Sequence, residues 1–345
     1  MPDNTPTSKR YDFVLLFDVQ DGNPNGDPDA GNLPRIDPQS LQGLVTDGCL
    51  KRKIRNAVTV IGEGKPGNEM YFQTQDAVYE RRVLNLVHQS AWDALGLSPA
   101  TDAPTTDEPK ESEEKGKGKR SKAKMGDRGD FDNVRKARQW MCANFFDIRA
   151  FGAVMTTGVN CGQVRGPVQI TFARSVDPIV PLEFSITRKS VTTEKEAADQ
   201  INKMDPETKT RFGSITGTMG RKNTVPYALY KCHGFVNPYL ARDTGFTDAD
   251  LQLLWAALKG QMWEIDRSAS RGLMATRGLC VFEHSSPLGN APAHELFARV
   301  RVPQLGNDKP APRSYDAYDV EVDQTAMPPG VTLHLYVDPR KPSRS

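Results

Sequence analysis

Apolar side chains recur at every second position near the start of the chain. Tyr11, Phe13, Leu15, Phe17 and Val19 fall on one face of a strand, and Val14 and Leu16 fall on the other. Two apolar faces predict a strand buried on both sides at the centre of a sheet. The run ends in Asp21-Gly22-Asn23-Pro24-Asn25-Gly26-Asp27-Pro28-Asp29, a string of turn-forming residues. Beyond it, Leu50 and Ile54 make an apolar stripe on a predicted helix, and Lys51 and Arg55, four apart, share the adjacent face. A buried strand, a tight loop and a helix cationic on one face suit the holding of a polyanion. The same pattern also describes a solvated charged helix beside a long turn, and local pattern alone does not separate the two.

Further along, Val83, Leu84, Val87, Ala91 and Leu95 have helical spacing, and Val134, Ala137 and Met141 suggest another helix leading into a strand over 145–155. Val168, Ile170 and Phe172 alternate with polar residues, as do Leu182, Phe184 and Ile186, so both segments are expected as half-buried strands. Thr247 is placed to cap a long helix whose Leu251, Leu254, Trp255, Leu258, Met262 and Ile265 form one stripe. Later strands are expected over 279–283, 318–322 and 333–337. Residues 99–130, rich in Pro, Thr and Asp and then in Gly, Lys and Glu, bury too little apolar surface to offset their ordering entropy and read as a flexible insertion. The irregular interleaving of strands and helices points to an α+β fold, a ferredoxin-like split βαβ core with large insertions. One polar excursion, at about 188–224, has strand-like ends and cations at its base, as a protruding arm would.

Composition narrows the chemistry. The 345 residues can bury a full core, and the five scattered cysteines argue against a disulfide framework. No apolar run reaches membrane-spanning length and residues 1–10 are polar, so a cytoplasmic location is expected. With 45 basic and 43 acidic residues, any nucleic-acid binding requires cations segregated onto one surface. The 21–32 loop fits a calcium loop poorly, because Asn32 stands where a bidentate Glu is required. Cys280 and His284, and Cys232 beside His233, lack the paired spacing that zinc needs. No phosphate-cradling Walker loop or nucleophile elbow is present, and no cofactor or metal is expected. Arg35, Arg149 and Arg165 sit beside Pro or Gly-containing segments, where a guanidinium can clamp a closely approaching phosphate backbone.

Several motifs in order carry a family resemblance. Leu33-Pro34-Arg35-Ile36-Asp37, Gly43-Leu44-Val45-Thr46-Asp47, Leu50-Lys51-Arg52-Lys53-Ile54-Arg55 and Asp147-Ile148-Arg149-Ala150-Phe151-Gly152 are among them. Gly166-Pro167-Val168-Gln169, Ser185-Ile186-Thr187-Arg188, Met219-Gly220-Arg221-Lys222, Asp266-Arg267-Ser268-Ala269-Ser270-Arg271-Gly272 and Phe282-Glu283-His284 follow. From about residue 11 to 338 the chain resembles the backbone subunit of type I-C CRISPR surveillance (Cascade) complexes. The 99–130 stretch is longer than that family leads one to expect.

The resemblance implies a right-hand shape: an RRM-like palm over 11–338, fingers from about 60–145, and a β-hairpin thumb at 188–224, with flexible ends at 1–10 and 339–345. It implies a non-catalytic scaffold whose copies stack head-to-tail along CRISPR guide RNA and present its bases to target DNA. The other partners implied are a guide-processing cap, large and small subunits, and a recruited helicase-nuclease. Contacts should fall on phosphates and 2′-hydroxyls, since the spacer sequence varies. By the same resemblance Arg35, Lys51, Arg52 and Arg55 grip the guide, Arg149 and Arg165 line the palm, and Arg188, Lys189, Arg221 and Lys222 hold the thumb. Ile215 or Met219 would wedge beside a displaced base. Replacing Lys51 and Arg55 together by alanine is expected to abolish RNA-dependent assembly and spare the fold. Two alternatives stay open: a metal-dependent RNA-cleaving subunit using an aspartate of 18–37, and a generic single-stranded RNA-binding protein.

Overall fold

The computed structural model describes residues 5–73, 83–97, 131–188, 190, 192–195, 198–199, 218–306 and 310–340. The expectations for Lys189, Ile215 and the 99–130 insertion therefore lie outside the described residues.

The fold is mixed α+β around an antiparallel sheet. Its first strand, β1 (Tyr11–Gly22), is buried along nearly its whole length. Two small hairpin strands, β2 (Gly26–Asp27) and β3 (Leu33–Pro34), follow, then β4 (Gln42–Val45) and the helix α1 (Asp47–Ile61). The helices α2 (Leu84–Ala94), α3 (Phe131–Asn144) and α4 (Phe146–Phe151) come next. Strands β5 (Gly152–Val154), β6 (Gln163–Arg165), β7 (Val168–Ile170), β8 (Ala173–Pro178), β9 (Leu182–Arg188) and β10 (Thr218–Val236) complete the middle of the chain. After a helical segment come β11 (Leu273–His284), β12 (Val300–Arg301), β13 (Glu321–Val322) and β14 (Val331–Val337). The main sheet runs β14-β11-β1-β10-β8-β4, with β7 and β9 also paired to β10.

The alternation in β1 sets up two cores. Phe13, Leu15, Phe17 and Val19 pack with Leu50, Ile54 and Val58 of α1 and with Trp255, Leu258 and Met262. Val14 and Leu16 face the other way, onto Leu229, Phe282, Leu296 and Tyr318. Gly234 lies opposite Phe13 in the β1–β10 ladder, and a Cβ there would sit 2.0 Å from the Phe13 ring. Only glycine leaves room for that ring. A third cluster, built on Tyr71, Trp92, Met141, Phe145 and Met155, gathers the region between α1 and β6.

Thr247 caps the helix Asp248–Ala256 through a capping box with Asp250. The stripe continues through a π turn at Ala257–Gln261 into Met262–Ile265, so the expected single helix is bent at Gly260 (φ 150°).

Four expectations need correction. The 145–155 segment is α4 followed by β5, because six consecutive buried residues carry no period that separates a short helix from a strand. The strand β9 forms but is exposed on both faces, since it pairs with the outer half of β10 after that strand has left the main sheet. Over 318–322 only Glu321–Val322 is strand, preceded by the 3-10 turn Tyr315–Ala317. The N-terminal segment is tied down before residue 10: Thr7 is buried and its N–H donates to the Phe246 carbonyl at 2.9 Å. No helix among the described residues is long and apolar enough to cross a membrane.

Candidate nucleic-acid interface

The helix α1 is capped by Thr46, whose side chain accepts from the Cys49 N–H. Asn25 in the preceding loop accepts from both the Thr46 N–H (2.9 Å) and its hydroxyl (3.0 Å), so the turn-rich loop is pinned to the helix start. With Leu50, Ile54, Ala57 and Val58 committed to the core, the basic residues divide between two flanks.

On one flank, Lys51 pairs with Asp47 at 2.9 Å and lies over the Phe151 ring. Arg55 bonds Asp147 at 2.8 Å and is stacked between Phe72 and Phe151. Asp147 is fully buried and also accepts from the N–H groups of Tyr71 and Phe72. Removing Arg55 strands that carboxylate, so the paired Lys51/Arg55 replacement would not spare the fold as the sequence suggested.

On the other flank, Cys49, Arg52, Lys53 and Asn56 line up at helical spacing. Arg52 is exposed and has no ion pair among the described residues. Lys53 is 1% exposed and reaches Asp266 at 2.6 Å, with Asn56 on the second carboxylate oxygen at 3.1 Å. Arg271 shares the same carboxylate. Burial pulls the Lys53 ammonium below its ordinary value, against the hydrogen bond it donates to Asp266. The loop 266–272 was noticed in the sequence only as a motif. Its contact with the first helix was not legible, because the partners are 213 residues apart.

The other candidate residues fall into three settings. Arg35 is half-buried, 3.4 Å from Asp27, in the hairpin before α1. Arg149 is buried: it forks onto Asp250 through Nε (2.9 Å) and Nη2 (2.7 Å), and Nη1 donates to the carbonyls of Gly67 and Cys142. Those donors face inward, which makes Arg149 a tie between α4 and the helix at Thr247. Arg165 is exposed, opposite Gly152 in the β5–β6 ladder, and lines an open groove of about 420 Å³ with Arg10, Phe235, Tyr239 and Leu288.

The arm residues sit on the paired strands β9 and outer β10. Arg188 is exposed near the Thr192 hydroxyl, Arg221 pairs with Glu183 at 3.0 Å, and Lys222 is half-buried opposite Phe184. Met219 lies in the ladder opposite Thr187. Leu182, Phe184 and Ile186, on one face of β9, are 42%, 50% and 51% exposed.

Of the aspartates over 18–37, Asp18, Asp27 and Asp37 are held by protein partners. Asp18 is buried and accepts from Arg277 (2.7 Å) and the Tyr227 hydroxyl (2.9 Å). Burial raises its carboxyl above the ordinary value, and the Arg277 charge opposes that rise. Asp27 accepts from the Asp29 N–H and faces Arg35. Asp37 accepts from the Gln39 and Ser40 N–H groups and from Arg174, which holds its carboxyl below the usual range. Among the described residues no group of three or more His, Cys, Asp or Glu side chains is arranged to hold a metal ion.

The structure is a mixed α+β fold on a central antiparallel sheet, and comparison with known proteins gives the family. Residues 9–323 match the family described as CRISPR-associated protein Cas7, and the chain belongs to that family. A CRISPR-associated protein Cas7 of Haloferax volcanii is 46% identical over 50 residues, 14% of this chain and 15% of that protein's length. Among solved structures, a chain of a "CRISPR RNA-guided surveillance complex, pre-nicking" is similar at a TM-score of 0.47 and 13% identity, over 79% of this chain and 78% of the other. A chain of a "CRISPR RNA-guided surveillance complex" is similar at 0.37 and 13% identity, over 78% and 68%.

Proposed function

We propose that this chain is the guide-RNA backbone subunit of a type I-C surveillance complex: a non-catalytic, cytoplasmic scaffold whose copies assemble head-to-tail along the guide. Membership of the Cas7 family supports the guide-RNA part of the reading. The observation that carries the scaffold part is the two-stranded arm. Leu182, Phe184 and Ile186 stand open on β9, beside the cations Arg188, Arg221 and Lys222. Contiguous exposed apolar side chains on a protruding element mark an interaction surface, and the cations suit a polyanion at its edge. In this reading the arm is the thumb of one copy reaching over RNA towards the next, a heterologous contact that builds an open filament.

The palm of this reading is the β11-β1-β10-β8 part of the sheet, whose antiparallel order is that of a split βαβ core. The cluster on Tyr71, Trp92 and Met141 supplies the fingers. Arg52, Arg165 and the arm cations contact phosphates and 2′-hydroxyls, leaving bases free to pair with target DNA. A processing cap, large and small subunits and a helicase-nuclease complete the assembly. The engagement of Asp18, Asp27 and Asp37 with arginines and backbone amides supports a non-cutting subunit.

The test is co-expression with guides of different spacer length, followed by mass measurement of the purified particle. Mass rising stepwise with spacer length is the expected result. One copy per RNA at every length would leave only a generic single-strand binder.

A further inference from the structure

Lysine is rarely buried without a reason, because taking an ammonium out of water costs several kcal/mol unless it is paired and hydrogen-bonded. Lys53 is buried near the middle of α1, between the exposed Arg52 and the core residue Ile54, and its partner Asp266 also receives Asn56 and Arg271. One carboxylate thus holds two points on α1 and one on the loop 266–272. The far side of that loop is fixed as well. The Asn23 N–H donates to the Ser270 carbonyl at 2.8 Å. A Cβ on Gly22 would lie 1.8 Å from the Arg271 carbonyl oxygen, so the two loops touch backbone to backbone.

Between these anchors, the loop shows solvent its polar groups. Arg267, Ser268 and Ser270 are exposed, and the two serine hydroxyls are 3.1 Å apart. Among the described residues Arg267 pairs only with the exposed Glu264, an interaction weak enough for a phosphate to displace. Arg52, without an ion pair among the described residues, stands on the same helix flank as Lys53 and Asn56. Guanidinium groups and hydroxyls on a rigid loop offer donors to phosphate oxygens and 2′-hydroxyls, and nothing there is arranged to read base edges.

Resting on the guide-RNA reading above, we infer that the loop 266–272 is a second contact site for the RNA phosphodiester backbone, with Asp266 as the residue that positions it. Binding energy at such a site comes from preorganisation: the loop is already ordered when RNA arrives, so less is lost on ordering it.

The test measures RNA affinity of the purified full-length protein as a function of salt, using a labelled guide. Arg267→Ala and Arg271→Ala should each lower the slope of log K against log salt by about 0.7, the value of one single-strand phosphate contact. Asp266→Asn should lower it by about 0.7, because Arg271 loses the carboxylate that places it while Arg267 keeps its pair with Glu264. A stability loss in Asp266→Asn is expected from the stranded Lys53, and Lys53→Met in the same chain removes that charge. The Lys53→Met/Asp266→Asn protein should therefore regain the parental melting midpoint and keep the reduced slope. A purely structural role would restore both, and that result overturns the inference. Parental slopes in both arginine variants also overturn it, and decide alone if neither Asp266 variant folds. A parent chain that binds no guide at any salt concentration would instead remove the guide-RNA reading itself.

Discussion

Replacing Arg149 with methionine should destabilise the fold by about 3–5 kcal/mol, the cost of breaking a buried ion pair from one side. The structure gives the reasons. The guanidinium forks onto Asp250 and also serves the carbonyls of Gly67 and Cys142, so methionine leaves a buried carboxylate and two carbonyls short of donors. Asp250 keeps the Thr247 N–H at 2.8 Å and its hydroxyl at 3.1 Å, which places the expected loss at the lower end of that range. Arg149→Lys should recover part of it, because lysine restores the charge but cannot reproduce the fork. Equilibrium urea unfolding followed by tryptophan fluorescence reads the effect, with Trp255 buried in the main core and Trp92 in the cluster that α4 joins. The folded variant should bind guide RNA with the parental salt slope. A loss under about 1 kcal/mol, together with a slope lowered by about 0.7, would show that Arg149 serves RNA and refute the reasoning.

The other predictions concern surfaces and protons. Arg52→Ala should leave stability within about 0.5 kcal/mol of the parent while lowering the salt slope by about 0.7; an unfolding midpoint that moves as far as in Arg149→Met would contradict the surface assignment. Burial under Phe297 and the nearby Lys231 charge hold the His233 imidazole down at about 4. The unfolded chain takes up that proton at its ordinary value near 6.5 and the folded chain does not, so the contribution of His233 is present above 6.5 and is lost as pH falls towards about 4. The urea midpoint should drop between pH 7 and pH 5, and the drop should shrink in His233→Phe. Incubating the assembled complex with complementary RNA and magnesium should return the RNA intact; cuts at regular spacing would revive the enzymatic alternative through an aspartate of 18–37.

The parts of the fold legible in the sequence were those whose partners are local or whose period is clean. The alternation of β1 specified both cores, and Thr247 marked its helix start because a cap needs only its next few residues. The segment at α4 failed for lack of a period: every residue from Phe146 to Phe151 is buried. β9 has the alternation of a half-buried strand but projects beyond the layers that would cover it, and local pattern does not encode where a strand ends up.

The cations divide in the same way. That Lys51, Arg52, Lys53 and Arg55 lie together on one helix could be read directly. Which of them is free could not, since Asp266 and Asp147 arrive from distant parts of the chain. Arg149 looked like a phosphate clamp beside a glycine, and the structure turns it inward onto Asp250.

The central claim is that this chain covers guide RNA at a fixed interval without reading its sequence. Ribonuclease footprinting of RNA co-purified with the protein, on two unrelated spacers, tests it most directly. The account predicts protection recurring at the same spacing on both. Irregular protection, or protection that follows spacer sequence, would contradict it.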